Sequence, residues 1–385
     1  MRNSAFPNLA VSAPSVGSGR FVFLDALRGL GALGVACYHI HRYHPLREPV
    51  DSLLPQFLQT ALLYGWIGVP VFFLIAGFVT AHSLRNTSLS LVGFGNYALR
   101  RVVRLGFPYW ATILFVVALD ALLRYGLHAA SLVSPLRGPR VWVNLLFLQD
   151  ILGYRNVSAG TWFVCIDLQF GLLFALLWAI AQRAARDWVR SLLLMLLFLP
   201  LGLLSLYWFV TLRTQYDMWV LYFFCMPLFG ALAYWALERR IPRIVFWAFA
   251  VIMAASVGYG WRLEIVIALI AGLVIYGVGR AGHLTDWLAG RRLQYLGRIS
   301  YSLFLIHYPV GWLVVSLGHW LTDGNPSLAI GWLLIAMAAS LLAADLMYRF
   351  VELPSVRLAT WLKTRHPRPQ PSVDPALTSF PSEIS

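Results

Sequence analysis

Residues 24–44 read LDALRGLGALGVACYHIHRYH. The stretch has the apolarity and the length, about 20 residues, of a helix that crosses a bilayer. It also holds Asp25, Arg28 and His39, and ionisable groups at such a depth are costly and mark functional sites. The rest of the chain supports the first half of that reading. Of 385 residues, 59% are hydrophobic and only 12% are charged, against about 25% charged in a soluble domain. Too few polar side chains exist to cover a water-facing surface, so lipid must cover it. The fold class is therefore all-α, a polytopic membrane protein. The 16 Trp and 17 Tyr suit the two membrane interfaces.

The net charge of +14 does not point to nucleic acid. The arginines fall in short clusters between apolar segments, as the positive-inside rule requires of cytoplasmic loops. Cys37, Cys165 and Cys225 lie in apolar runs with neither disulfide nor metal-ligand spacing, and no metal is expected. Residues 1–20 are small and polar, a disordered cytoplasmic N-terminus with no cleavable signal.

Apolar runs of spanning length occur near 21–43, 58–83, 105–126, 160–182, 189–211, 218–238, 243–259, 263–279, 299–320 and 328–349. About ten transmembrane helices follow. With the N-terminus inside, every even span ends in a basic cluster: Arg85 to Arg104, then Arg183 to Arg190, Arg239 to Arg243, Arg280 to Arg298, and Arg349 to Arg365. Both termini are then cytoplasmic and the protein sits multi-pass in a cell membrane, a bacterial inner membrane. WVNLLFLQDILGY (142–154) is apolar but short, and a full span there would invert every later cluster. It reads as a re-entrant or interfacial segment. In this scheme Arg124, Arg137, Arg140 and Arg155 fall outside, against the rule. Residues 355–385 form a Pro/Ser-rich tail read as disordered and cytoplasmic.

The polar groups inside the spans carry the chemistry. At about 100° per residue from Asp25, Arg28 falls near 300° and His39 near 320°, one stripe roughly 60° wide. Ala32, Val35 and Ala36 share the stripe and leave room beside it, while Cys37 lies about 200° from His39. Arg28 and His39 are roughly 16 Å apart along the axis. Asp25 and Arg28 read either as an i,i+3 packing ion pair or as functional groups. His39 reads as a general base or as an interfacial histidine. In LRRVVRLGFPYW, Arg101 and Arg104 share a face, for topology or for phosphate. TWFVCIDLQF places Asp167 inside a span, where it can orient an imidazole or an arginine or serve only as a structural tie to one of them. LGRISYSLFLIHYPV places His307 at a depth like that of His39, either sharing its cavity or satisfied locally. YRFVELPS reads as a local Arg349–Glu352 pair.

These stretches, in this order, resemble the membrane-bound acyltransferase-3 family. FLDALRGLGALGVACYH follows its first-helix pattern LDxLRGxAALxVxxxH, and VFFLIAGFVTAHSL is similar to FFxxSGFL, with Ala76 where serine is common. RRVVRLGFPYW carries the RxxR element as Arg101 and Arg104. TWFVCIDLQF is similar to WSLxxExxF, with Phe163 at the serine position and Asp167 in place of glutamate. LGRISYSLFLIHYPV and YRFVELP resemble the closing motifs, and the likeness spans about 21–354, taken as one transmembrane domain. The resemblance implies transfer of an acyl group, usually acetyl from acetyl-CoA, to a carbohydrate or glycan hydroxyl. It implies a catalytic or substrate-orienting role for His39 and Arg28, and donor handling by Arg101 and Arg104; Asp167, which stands where the motif has glutamate, is a third catalytic candidate. Asp25 and His307 are further candidates. No permanently bound cofactor is implied; acyl-CoA is a substrate, and a separate extracytoplasmic or glycan-export protein is a candidate partner. The competing reading is a proton-coupled transporter or flippase for a glycan-related solute, in which Asp25, His39 and His307 relay protons. A structural subunit of an export complex is a third.

Overall fold

The computed structural model describes residues 20–42, 46–87, 89–126, 136, 138–211, 219–323 and 325–364. It is helical throughout, with no strand among the described residues. The order is α1 (Val22–Arg42), α2 (Arg47–Leu53), α3 (Gln56–Leu63), α4 (Gly68–Leu84), α5 (Leu91–Ala121), α6 (Gly138–Leu145), α7 (Thr161–Ala181) and α8 (Asp187–Thr211). It continues with α9 (Val220–Phe223), α10 (Cys225–Leu237), α11 (Arg243–Tyr259), α12 (Leu263–Arg280), α13 (Arg291–Thr322), α14 (Pro326–Met347) and α15 (Leu353–Thr364). A 3₁₀ turn (Gly65–Ile67) joins α3 to α4, and π turns extend α5 (Leu122–Gly126) and join α14 to α15 (Tyr348–Glu352).

Helix occupies each expected span, with 58–83 divided among α3, the 3₁₀ turn and α4 and 218–238 between α9 and α10, but the count of ten is not reached on length and apolarity. Seven helical stretches are long and apolar enough to cross a membrane: Gln56–Leu84, Leu91–Tyr125, Thr161–Ala181, Asp187–Thr211, Leu263–Arg280, Arg291–Thr322 and Pro326–Lys363. The other three fall short for visible reasons. α1 carries Asp25, Arg28 and Arg42, while α10 and α11 have only 13 and 17 residues. α10 is surrounded by protein: every residue but Leu237 is buried. Segment 142–154 forms the end of α6 and a run of turns, with no helix of membrane length. The chain stays helical past residue 354, to Thr364, which corrects the start expected for the tail. Residues 1–19 and 365–385, assigned to disordered termini from the sequence, lie outside the described residues, as does Arg137.

In lipid the hydrophobic effect does not drive one helix onto another, so close packing and hydrogen bonds must. The most extensive pairings are α1 with α13, α13 with α14, and α4 with α10. Glycine makes two of them possible. A Cβ on Gly29 would lie 2.6 Å from the Gly297 nitrogen, and one on Gly297 would collide with the Asp25 carbonyl. Gly77 and Gly230 bring α4 and α10 together in the same way, against Pro227 and Leu74 carbonyls. Outward faces carry large apolar side chains such as Leu114, Val251, Leu334 and Leu342, which suits a lipid-facing surface. The α1–α13 pair runs parallel: Gly29 meets Gly297 near one end, and His39 meets His307 ten residues further along both helices.

Candidate active site

One end of the bundle gathers charge. Arg28 from α1, Arg101 and Arg104 from α5, Asp167 from α7, Tyr301 from α13 and Glu352 line a cavity of about 150 Å³. Arg101 Nη2 donates to both the Asp167 carboxylate Oδ1 and the Asp167 carbonyl, each at 2.9 Å. Asp167 therefore orients an arginine, not an imidazole. Its ion pair is largely buried, where removal of either charge is costly. Gly171, one turn beyond Asp167, makes the space: a Cβ there would collide with the Arg101 guanidinium. Arg104 makes no side-chain hydrogen bond or salt bridge among the described residues. Arg28 sits 3.9 Å from Asp25, whose closer partner is Arg20 at 2.5 Å. Asp25 is thus bound to Arg20 at the rim.

Glu352 is a member the sequence did not suggest. It was read as the partner of Arg349, but Arg349 pairs with Asp345 at 2.7 Å. The π turn at Tyr348–Glu352 shifts the register and carries Glu352 inward, where it accepts a 2.6 Å hydrogen bond from the Ser302 hydroxyl. Such bulges concentrate at functional sites. Tyr301 is fixed nearby through its hydroxyl, which donates to the Leu105 carbonyl at 2.7 Å.

The other end holds the histidines. His307 is fully buried. Its Nδ1 lies 2.9 Å from the Leu303 carbonyl and its Nε2 lies 3.1 Å from His39 Nδ1. His39 Nδ1 is also 3.0 Å from the Val35 carbonyl. A carbonyl only accepts, so the bonding pattern assigns the proton of neutral His307 to Nδ1 and makes its Nε2 an acceptor. His39 then carries its own proton on Nδ1 and its lone pair on Nε2. This is the tautomer a general base needs at Nε2.

Two cavities meet at His39. One, of about 530 Å³, is polar and aromatic and is lined by Arg140, Asn156, Ser158, Trp162, Tyr308 and Trp312. The other, of about 300 Å³, is largely apolar, lined by Val35, Phe73, Met226, Phe223 and Phe304, with Arg262 and Glu264 also in its lining. The polar wall is braced from α5 and α6. Tyr109 donates to the Asn144 carbonyl at 2.7 Å, Asn144 Oδ1 accepts from the Val157 amide at 3.2 Å, and Arg140 donates to the Arg155 and Asn156 carbonyls. Arg124 pairs with Asp120 at 2.8 Å. Two of the arginines that broke the charge rule are therefore occupied locally.

Arg28 and His39 were expected on one channel. In the structure they line separate cavities. The rings of Phe72, Phe163 and Phe304 pack edge-on with centroids 5.2 to 5.9 Å apart. All three line the arginine cavity, and Phe304 also lines the apolar cavity at His39. Phe163 is the residue that stands where the similar motif has serine. The structure thus brings Arg28, Arg101, Arg104 and Asp167 together, brings His39 and His307 together, and sets an aromatic seal between the groups.

A family model described as an acyltransferase domain matches residues 21–349. Among curated proteins, the chain is similar to the peptidoglycan O-acetyltransferase OatA of Listeria monocytogenes, 22% identical over 376 residues, covering 86% of this chain and 55% of that protein. It is similar to the O-acetyltransferase OatA of Staphylococcus aureus, 22% identical over 370 residues, covering 86% and 56%. It is also similar to the putative peptidoglycan O-acetyltransferase YrhL of Bacillus subtilis, 23% identical over 378 residues, covering 82% and 56%. The chain spans about half the length of these relatives. No solved structure matches.

Proposed function

The chain belongs to the acyltransferase-domain family, and on that premise we propose that it is a membrane O-acyltransferase moving an acyl group, acetyl first, from acyl-CoA to a glycan hydroxyl. The observation that carries the reading is the division of labour across the aromatic seal: guanidiniums on one side, a tautomer-fixed imidazole on the other. Thioester donors bring phosphates, and arginine forks bind phosphate oxygens well. Arg104 and Arg28 receive them, while Asp167 holds Arg101 in place. The acyl-bearing arm passes Phe304 to reach His39, over the roughly 16 Å of α1 that separates Arg28 from His39. The acceptor occupies the 530 Å³ cavity, where Trp162, Tyr308 and Trp312 offer apolar ring faces and Asn156 and Arg140 offer polar contacts.

In the reaction, His39 Nε2 takes the proton of the acceptor hydroxyl as its oxygen bonds to the thioester carbonyl carbon. The carbon–sulfur bond then breaks, and the departing CoA thiolate recovers the proton from His39. Base assistance of this kind contributes about 10²–10⁴-fold. The arginine-rich end faces the cytoplasm on the positive-inside rule, which places donor and acceptor on opposite sides. The relatives' names make peptidoglycan fragments the first acceptors to try. A separate glycan-export or extracytoplasmic protein is a candidate partner in supplying the acceptor.

The test is vectorial transfer. The protein is reconstituted into vesicles with labelled acetyl-CoA on the arginine side only and glycan fragments on the other. Ester-linked label on the glycan is the expected result. A proton-coupled carrier would leave the thioester intact, and that result would refute the assignment.

A further inference from the structure

A second charged cavity lies away from the site, at the same end of the bundle as Arg101. It encloses about 730 Å³ between the start of α8 and the α10–α11 turn, and its lining includes Asp187, Trp188, Arg190, Arg239, Arg240 and Arg243. Four arginines and one aspartate line it, and Arg190 also donates to the Ala184 carbonyl at 3.1 Å. Asp187 is already paired with Arg190 at 3.0 Å and is almost fully exposed. Arg239, Arg240 and Arg243 make no side-chain hydrogen bond or salt bridge among the described residues. The Nε atoms of Arg190 and Arg240 are buried without an acceptor. Like charges held around one cavity repel unless an anion sits among them.

The backbone adds a second observation. α10 ends in a left-handed cap: the Arg240 amide bonds to the Trp235 carbonyl at 2.8 Å, and Arg239 has φ +57°. Glycine is the residue this position favours, because a Cβ is strained there. Arginine occupies it all the same, and the cap aims its neighbour Arg240 over the Trp178 ring, 5.8 Å from the centroid. Topology alone would be served by basic residues anywhere near the bundle end. It does not account for arginine at a glycine position, nor for three arginines lining one cavity with no acid paired to any of them among the described residues. Trp188 at the rim is well exposed, as aromatic side chains at headgroup level are.

We propose that the Arg190–Arg239–Arg240–Arg243 cavity binds the phosphodiester headgroup of an anionic phospholipid from the adjacent leaflet. The chemistry is that of basic pockets between membrane helices generally. The occupant is a lipid, not a soluble phosphate, because the cavity opens beside an interfacial tryptophan at the bundle end. The inference stands apart from the reaction and does not depend on the donor or acceptor.

The full chain, reconstituted into nanodiscs of equal phosphatidylcholine and phosphatidylglycerol, is released in the gas phase and its retained lipids are weighed. Wild type is expected to retain phosphatidylglycerol selectively. Each guanidinium removed should cut that preference about fivefold, so Arg239→Gly with Arg240→Gln and Arg243→Gln should abolish it. Arg239→Gly alone is the safeguard, since glycine suits the backbone there and its loss of preference cannot come from misfolding. Undiminished preference in Arg239→Gly and the triple variant overturns the proposal. Displacement of the lipid by millimolar inorganic phosphate in wild type also overturns it, in favour of a soluble anion.

Discussion

His307 lines neither of the two cavities at His39, yet the account makes it a positioning residue, and its replacement is the most informative perturbation short of removing the base. His307→Ala takes away the acceptor 3.1 Å from His39 Nδ1 and leaves the Val35 carbonyl at 3.0 Å. The surviving bond keeps the His39 proton on Nδ1, so the loss should stay well below the about 10⁴-fold seen when a catalytic histidine adopts the wrong tautomer. A neutral hydrogen bond contributes about 1 kcal/mol, which sets a floor near fivefold. The ceiling is about 10²-fold, the effect of misplacing a reacting group by about 1 Å. The expected result is thus a kcat lowered about 5- to 100-fold with an unchanged KM for the donor. Because the side chain is fully buried, the alanine also leaves a void worth about 2–4 kcal/mol of stability. His307→Gln separates the two effects, since its amide oxygen can accept from His39 Nδ1 while filling most of the space. Steady-state kinetics in detergent, beside thermal unfolding, reads both. Glutamine as damaging to kcat as alanine, or alanine at near wild-type kcat, refutes the positioning argument.

Other perturbations probe other parts. Asp167→Asn leaves the Arg101 guanidinium without its counter-charge and should lower stability by about 2 kcal/mol while raising donor KM; an unchanged melting curve and KM would contradict the tie. Phe163→Ser removes one ring of the seal and should raise acceptor-independent release of acetate several-fold, measured as free label, at a packing cost of about 3 kcal/mol; unchanged hydrolysis would show that the rings do not seal. Gly297→Ala drives a methyl into the Asp25 carbonyl and should cost about 1–3 kcal/mol together with activity, because His39 and His307 ride on the two helices it separates. Gly331→Ala, with open space around it, is the control and should be neutral or slightly stabilising.

The helical plan was legible because composition and apolar run length report directly on burial in lipid. The first-helix stripe was legible for a similar reason: a 3.6-residue period fixes which side chains share a face. What a helix meets across the bundle is another matter. The partner of Asp167 depends on Gly171 leaving room for Arg101, and the His39–His307 contact depends on the Gly29–Gly297 approach ten residues earlier. Neither is local. Glu352 was misread because i,i+3 spacing assumes an α-helix, and a π turn occupies that stretch. The aromatic seal joins α4, α7 and α13, and no single segment reveals it. Phe163 carried a hint, as a large ring where the similar motif has a small hydroxyl.

The central claim is that His39 is the base serving a donor held on the far side of the seal. The direct measurement is kcat and donor KM for His39→Ala in reconstituted, folded protein. The account expects kcat to fall at least 10²-fold with donor KM unchanged, since the arginines proposed to bind the donor are untouched. A variant that keeps a tenth or more of the wild-type turnover contradicts it.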